Sequence, residues 1–338
     1  MKLSICIPTY NRAEYLPATF ESIAAQWRDD LEITVADNAS TDNTAELVAQ
    51  LGKRLGNVRY FRWDENQGAD RNYLKCVEIA TGEYCWILGS DDPIADGAVR
   101  QLMAHIDQQQ PTIVLFNRLL CTKELTPIRE DRFLDAKGAD YLRYEFAQTG
   151  SLEKYLNDAR SLAAAFSYLS STAFRKQAWD AVPTNDTFIG TAYVHSQKLL
   201  GACADGAVLT YFNHALVHCR LGNDHFREHG LARRVLLDLQ GYTKLADACF
   251  GDRRPACARG LVQLLRHEYP WARVMRYQGV LGADPQWAAI VELLRTRIGY
   301  IPLALPMARL LGRSRLLVRL SFWMRDQLQR LNGLAQGT

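Results

Sequence analysis

Strand and helix signals alternate along the first 118 residues, and that alternation constrains the fold more than any other feature. Leu3-Ser4-Ile5-Cys6-Ile7 reads as a strand, broken by Pro8-Thr9-Tyr10-Asn11-Arg12. A helix follows, with Leu16, Phe20, Ile23, Ala24 and Trp27 on one face, the spacing of an amphipathic helix. Leu31 to Ala36 is a second strand, Thr44 to Leu55 a second helix, and Val58 to Phe61 a third strand. Asp70 to Ala80 is a third helix and Tyr84 to Leu88 a fourth strand, mostly apolar and preceded by Gly82. A helix around Ala98 to Gln109 and a strand at Ile113 to Asn117 complete the series. Such a pattern predicts an α/β fold with a parallel, doubly wound sheet and right-handed connections.

The second half is less regular. Arg118 to Arg160 is charged and unpatterned, Phe166 to Arg175 is strand-like, and Lys176 to Ala181 is a short helix. Val208 to Val217 reads as a strand, followed by a polar loop from His218 to His225. From Leu231 the pattern is helical, interrupted by Pro255, Pro270, Pro285, Pro302 and Pro306. The expected division is therefore an α/β domain over 1–228 and a helical C-terminal region over 229–338.

A net charge of +3 is too small to imply a nucleic-acid partner. The eight cysteines form no C-x-x-C pair, so neither a zinc site nor a disulfide framework is expected. No apolar run reaches the roughly 18 residues that span a bilayer, and strand signals begin at once, so a cytoplasmic location is expected. Arginines at 309, 313, 315, 319, 325 and 330 punctuate an apolar stretch that includes Phe322 and Trp323. That pattern fits peripheral binding to an anionic membrane surface, or equally a packed helix with solvated arginines.

Three polar clusters follow three of the strands: Pro8 to Arg12, Asp37-Asn38-Ala39-Ser40-Thr41-Asp42, and Gly89-Ser90-Asp91-Asp92. In a parallel sheet these ends share the edge where ligands bind. Two adjacent carboxylates after a buried strand are costly unless something pairs with them. A Mg²⁺ or Mn²⁺ ion shared with a ligand's phosphates would satisfy them. The competing explanation is a turn with a helix cap, since Asp92-Pro93 is also a helix start. Tyr10 offers a face for a base, and Asp37 an acceptor for a base imide. Neither a P-loop nor a G-x-G-x-x-G turn is present, which disfavours an ATPase or a dinucleotide oxidoreductase.

With Asn66-Gln67-Gly68 and Arg71-Asn72, these clusters resemble in order and spacing the motifs of glycosyltransferase family 2, over roughly the first 118 residues. Within it the chain is similar to abequosyltransferase-like enzymes of O-antigen and polysaccharide synthesis. The resemblance implies a GT-A fold and a nucleotide-diphosphate sugar donor. It also implies a divalent metal (Mn²⁺ or Mg²⁺) and inverting transfer to a glycan or lipid-linked glycan. On that basis 1–118 is the nucleotide-sugar half and 119–228 the acceptor half with a lid loop. Pro8, Thr9, Tyr10, Arg12, Asp37, Asn66, Gly68, Arg71, Ser90 and Asp91 become donor-binding candidates. Asp92 is the expected metal ligand, with Asp91 beside it.

One departure stands out. The stretch Phe188 to His195 carries no carboxylate where the family places an acidic pair. Inverting displacement needs a base near the acceptor hydroxyl. His195 is the candidate by its ordinary pKa, with Asp186 as rival; acceptor binding and a purely structural role are the other readings of His195. In the His218–His225 loop, Arg220 is expected to pair with the diphosphate and His218 to approach the metal, unless the loop is merely solvated. Two other function classes remain: a nucleotidyltransferase, and a non-catalytic nucleotide-sugar-binding module of the same fold.

Overall fold

The computed structural model describes residues 2–223 and 230–299. Strands β1 (Leu3–Thr9), β2 (Leu31–Asp37), β3 (Val58–Arg62) and β4 (Tyr84–Ile87) are parallel, in the spatial order β3-β2-β1-β4. Helices α1 (Leu16–Ala24), α2 (Thr44–Leu55) and α3 (Ala69–Glu78) connect them, and α4 (Ala98–Gln109) leads on from β4. β1 and β2 are buried at every position, as central strands covered on both faces must be. β3 lies at the edge and is largely exposed. The apolar core gathers Ile5, Ile7, Ile33, Val35, Trp86 and Leu102, among others, around these strands.

Beyond β4 the sheet becomes mixed. β8 (Thr172–Arg175) lies antiparallel between β4 and β5 (Ile113–Cys121). β5 runs parallel to β9 (Val208–Arg220), and β7 (Tyr141–Glu145) pairs antiparallel with β9. β6 (Pro127–Asp131) is a side strand on β5. The architecture is a mostly parallel α/β sheet flanked by helices, as expected. Three details differ from the sequence reading. The charged stretch 118–160 contains β6, β7 and α5 (Ser151–Asp158). Strand-like 166–171 contains a short 3-10 turn, Leu169–Ser171, before β8. β9 extends to Arg220, because its partner β5 runs on to Cys121 and supplies backbone partners there.

α6 (Lys176–Ala181) and α7 (Val194–Ala204) follow β8. The chain divides into two compact units, Met1–Asp224 with Lys244–Leu261 and His225–Thr243 with Val262–Thr338. The expected boundary at 228 lies near the first break, but Lys244–Leu261 returns to the first unit. Helices Pro255–Glu268 and Trp271–Leu281 each have a proline at or just before the first turn, where the missing N–H has no helical partner to lose. All eight cysteines are buried and free. Among the described residues no helix is long and apolar enough to cross a membrane. The arginine-rich tail from 309 onward lies outside the described residues.

Glu32 in β2 fastens the first strands together. Its fully buried carboxylate accepts from Thr81 N–H at 2.8 Å and Arg59 Nε at 2.6 Å, and from the Ser4 hydroxyl. Burial alone would raise its pKa, but the hydrogen bonds from Ser4, Thr81 and Arg59 outweigh it and hold the group at about 2. A depressed carboxylate pKa stabilises the fold above its unfolded value, and that stabilisation is lost as pH falls through the folded value. Glu32→Gln is therefore expected to cost roughly 2–3 kcal/mol in urea unfolding at neutral pH. The difference from wild type should shrink between about pH 4.5 and 2; one that persists undiminished at pH 2 would contradict the assignment.

Candidate active site at the ends of β1, β2 and β4

The parallel register places Thr9 opposite Asp37 and Cys6 opposite Ile87, so the polar segments after β1, β2 and β4 emerge on one edge. The first two loops are stapled to each other. Asn11 N–H donates to Ser40 Oγ at 2.9 Å, Thr41 N–H to Asn11 Oδ1 at 2.8 Å, and Ala13 N–H to Asp42 Oδ2 at 2.9 Å. Asn72 on α3 ties in both strand ends, donating to Ala36 O at 2.8 Å and Thr9 O at 3.3 Å. Asn38 Nδ2 reaches Asn66 Oδ1 at 2.8 Å, which fixes the turn before α3. Gly68 takes φ +81° there, a conformation that favours glycine.

Asp37 is fully buried. Oδ1 accepts from Ser40 N–H at 2.8 Å and Oδ2 from the Tyr60 hydroxyl at 2.6 Å, with Arg62 Nε at 3.7 Å. Its visible work is to order the second loop, a role the sequence did not suggest. Pro8 and Thr9 are buried in β1, whereas Tyr10 exposes over a third of its surface beside them. Arg71 is exposed on the first turn of α3.

After β4 the chain does not cap a helix. Residues 93–95 run beside β9, with Ala95 N–H on Leu216 O and His218 N–H on Pro93 O, and α4 starts only at Ala98. The capping explanation for Asp91-Asp92 therefore falls. Asp92 is buried; Oδ2 accepts the Ser170 hydroxyl at 2.7 Å and Oδ1 the Arg220 N–H at 3.4 Å. Asp91 Oδ2 accepts from Asn223 Nδ2 at 2.6 Å. Burial first, and the neighbouring Asp91 charge second, push Asp92 up to about 7. The two carboxylates converge over Gly89, where a side-chain Cβ would sit 2.6 Å from Asp92 Oδ2 and 3.1 Å from Asp91 Oδ1. The backbone leaves that cradle open to the carboxylates. A mutually repelling pair of hard oxygen donors, Asp92 buried and Asp91 half-buried, fits Mg²⁺ or Mn²⁺, which commonly take one or two carboxylates and fill the rest from phosphates and water.

Several candidates stand elsewhere. His195 is on α7, buried, with Nε2 on Phe166 O at 2.8 Å and its ring edge-on to Tyr73 at 5.7 Å. Burial lowers its pKa to about 4. Nδ1 is buried with no hydrogen-bond partner among the described residues, and the enclosure of the ring favours the structural reading of His195 over the catalytic-base reading. Asp186 is exposed at the start of a 3-10 turn. His218 does not join the aspartates. On β9 it alternates with Cys219, whose thiol is pushed up to about 12 by burial and by Asp92. The charged neighbour of His218 is instead Asp96. This placement gives no support to the expectation that His218 is a metal ligand. Arg220 does arrive, with Nε on Asp91 O at 3.3 Å. Ser90 is buried, and its carbonyl accepts the Thr19 hydroxyl at 3.0 Å.

Sequence reasoning missed Ser170 and Asp70, and placed Gly89 and Asn223 in polar segments without seeing their contacts to the aspartates. Ser170 also receives Gly89 N–H at 2.8 Å, and so sets the turn as well as Asp92. Asp70 is a buried carboxylate on α3 that accepts from Ala192 N–H at 2.8 Å and Val194 N–H at 3.1 Å. It thereby anchors the loop before α7. Only the run Asp70-Arg71-Asn72 beside the Asn66–Gly68 turn hinted at it.

The chain matches the sequence model of glycosyl transferase family 2 over residues 4–178. It is 38% identical over 275 residues to the abequosyltransferase RfbV of Salmonella typhimurium, spanning 80% of this chain and 82% of that one. Among solved structures it resembles residues 1–349 of S. aureus TarS, at TM-score 0.63 and 16% identity over 88% of this chain and 82% of that one. It also resembles the mannosyltransferase PcManGT from Pyrobaculum calidifontis in complex with GDP-Man and Mn²⁺, at TM-score 0.56 and 16% identity over 97% and 84%.

Two outcomes follow for the carboxylate pair. Gly89→Ala is expected to keep the fold while weakening Mn²⁺ binding at least about tenfold, read by Mn²⁺ titration, because the methyl enters the cradle. The second concerns proton linkage without added metal. A raised Asp92 pKa means stability fully present below about pH 4 and lost as pH rises through about 7. Asp92→Asn stays neutral. With chelator present it should be more stable than wild type at about pH 8, by on the order of 1–4 kcal/mol, and equal to it below about pH 4.

Proposed function

The chain belongs to glycosyltransferase family 2, and we propose that it transfers a sugar, with inversion, from a nucleoside-diphosphate donor to a glycan or lipid-linked glycan acceptor. O-antigen or another surface polysaccharide is the proposed product. The observation that carries the reading is the convergence of half-buried Asp91 and buried Asp92 over Gly89 at the end of β4. Membership decides between the function classes: the chain is a glycosyltransferase, not a nucleotidyltransferase. The similarity to a named abequosyltransferase supports the surface-polysaccharide setting. The PcManGT complex with GDP-Man and Mn²⁺ supports a nucleotide-sugar donor and a cation.

In this reading Thr9, Tyr10 and the Asp37 loop border the donor's nucleoside, with the exposed Tyr10 ring as the stacking face. Asp91 and Asp92 would hold a divalent cation, which neutralises charge on the departing diphosphate. Arg220 and Arg12 flank the pair and add positive charge on the same side. The acceptor hydroxyl attacks the anomeric carbon opposite the diphosphate and gives its proton to a base. With His195 buried, Asp186 is the candidate we retain for that base. The sheet positions these groups before the donor arrives, so little reorganisation is needed in the transition state.

Thermal unfolding with UDP, dTDP, CDP and GDP, each with and without Mn²⁺, tests the donor reading. One nucleotide should raise Tm only with metal, by several degrees near a hundredfold excess over its dissociation constant. The shift should vanish in Asp92→Ala. No shift with any nucleotide would count against the donor reading. Once donor and acceptor are identified, Asp186→Asn should lower kcat by about a hundredfold or more with little change in donor affinity. Unchanged turnover would remove Asp186 as the base.

A further inference from the structure

Tyr15, the residue before α1, touches two arginines that are far apart in sequence. The Arg12 guanidinium carbon lies 5.3 Å from the Tyr15 ring centroid and that of Arg220 lies 5.1 Å from it. Arg12 donates to Asn223 O at 3.0 Å; Arg220 donates to Asp91 O at 3.3 Å and to Lys123 O. Asn223 Nδ2 in turn donates to Asp91 Oδ2 at 2.6 Å. The contacts close into a ring: Tyr15, Arg12, Asn223, Asp91, Arg220 and back to Tyr15.

The hydrogen bonds of both guanidiniums thus go to neutral carbonyl oxygens. Among the described residues neither is tied to a carboxylate side chain, although Asp91 is close by. Two like charges held beside one ring repel each other. Each is attracted to the negative face of an aromatic ring within about 6 Å. Free arginines would also lose rotamer freedom on gripping an anion, and side chains already stacked lose less. A diphosphate, with several anionic oxygens, suits two planar guanidinium forks.

We propose that Tyr15 is the positioning residue of a two-arginine clamp, in which its ring holds Arg12 and Arg220 ready for the diphosphate of the donor. The clamp deepens the donor reading above and rests on it for the identity of the ligand. Tyr15 itself touches no reacting atom. Its effect passes through the arginines, so the ring is required and the hydroxyl is not.

The test is calorimetric binding of two probes in Mg²⁺: inorganic pyrophosphate, and whichever nucleoside diphosphate wild type binds. Tyr15→Leu should weaken both by about tenfold, and Tyr15→Phe should stay within about twofold of wild type. In an Arg12→Gln/Arg220→Gln background, which already binds weakly, Tyr15→Leu should have almost no further effect. The arginine variants keep the proposal testable if Tyr15→Leu folds poorly, since each alone should weaken pyrophosphate binding. Wild-type affinity in Tyr15→Leu, an equal loss in Tyr15→Phe, or an undiminished loss in the double-arginine background would overturn the clamp. Pyrophosphate binding that depends on Tyr15, with no nucleoside diphosphate bound, would keep the clamp and overturn the donor reading. Binding of neither probe would overturn both.

Discussion

The site depends on one electrostatic conflict: two neighbouring carboxylates, Asp91 and Asp92, converging over Gly89 at the end of a buried strand. Burial and mutual repulsion raise the Asp92 pKa to about 7. The hydroxyl of Ser170 and the backbone N–H of Arg220 relieve part of the cost. Two hydrogen bonds do not balance a buried charge beside another, whereas a divalent cation does. The same conflict explains why the neighbourhood supplies arginines and amide donors and places no further acidic group on the pair among the described residues.

Much of the first unit holds that conflict in place. Glu32 fastens β1 and β2 to Thr81 just before β4, which sets the register at the far ends of the strands. Asn72, Asn38 and Asn11 then cross-link the loops at the working ends. The residues that give the family motifs their appearance thus divide their labour. Asn11, Asp37, Ser40 and Asp42 order backbone, and in the proposed reading Asp91 and Asp92 hold the cation. Tyr10 is left exposed beside Asn11. Asp70 extends the network from α3 to the loop before α7.

The first half was legible because β1, β2 and β4 are buried on both faces and its helices are amphipathic. Helices 44–55, 98–109 and 176–181 fall at the expected bounds. The stretch 118–160 hid two strands because β6 and β7 are half-exposed and charged, so hydrophobic alternation never shows. β8 was read too long because Phe166, Tyr168 and Leu169 lead into a 3-10 turn, Leu169–Ser171, that runs directly into four strand residues. The aspartate pair was readable from its place after a buried strand. Ser170 and Asn223 were not, because they reach it from 78 and 132 residues away. His195 shows the converse limit. Residue type and position recommended it as a base, and only the packing of α7 against Phe166 and Tyr73 reveals that its ring is enclosed.

The most direct measurement is Mn²⁺ affinity as a function of pH, followed by electron paramagnetic resonance on wild type and Asp92→Asn. A buried carboxylate that must lose a proton to take the ion gives an affinity that climbs by up to about tenfold per pH unit below about 7 and levels off above it. Asp92→Asn should bind weakly at every pH. Wild-type affinity that is flat between about pH 5.5 and 8, or retained in Asp92→Asn, would contradict the claim that this carboxylate pair is the cation site.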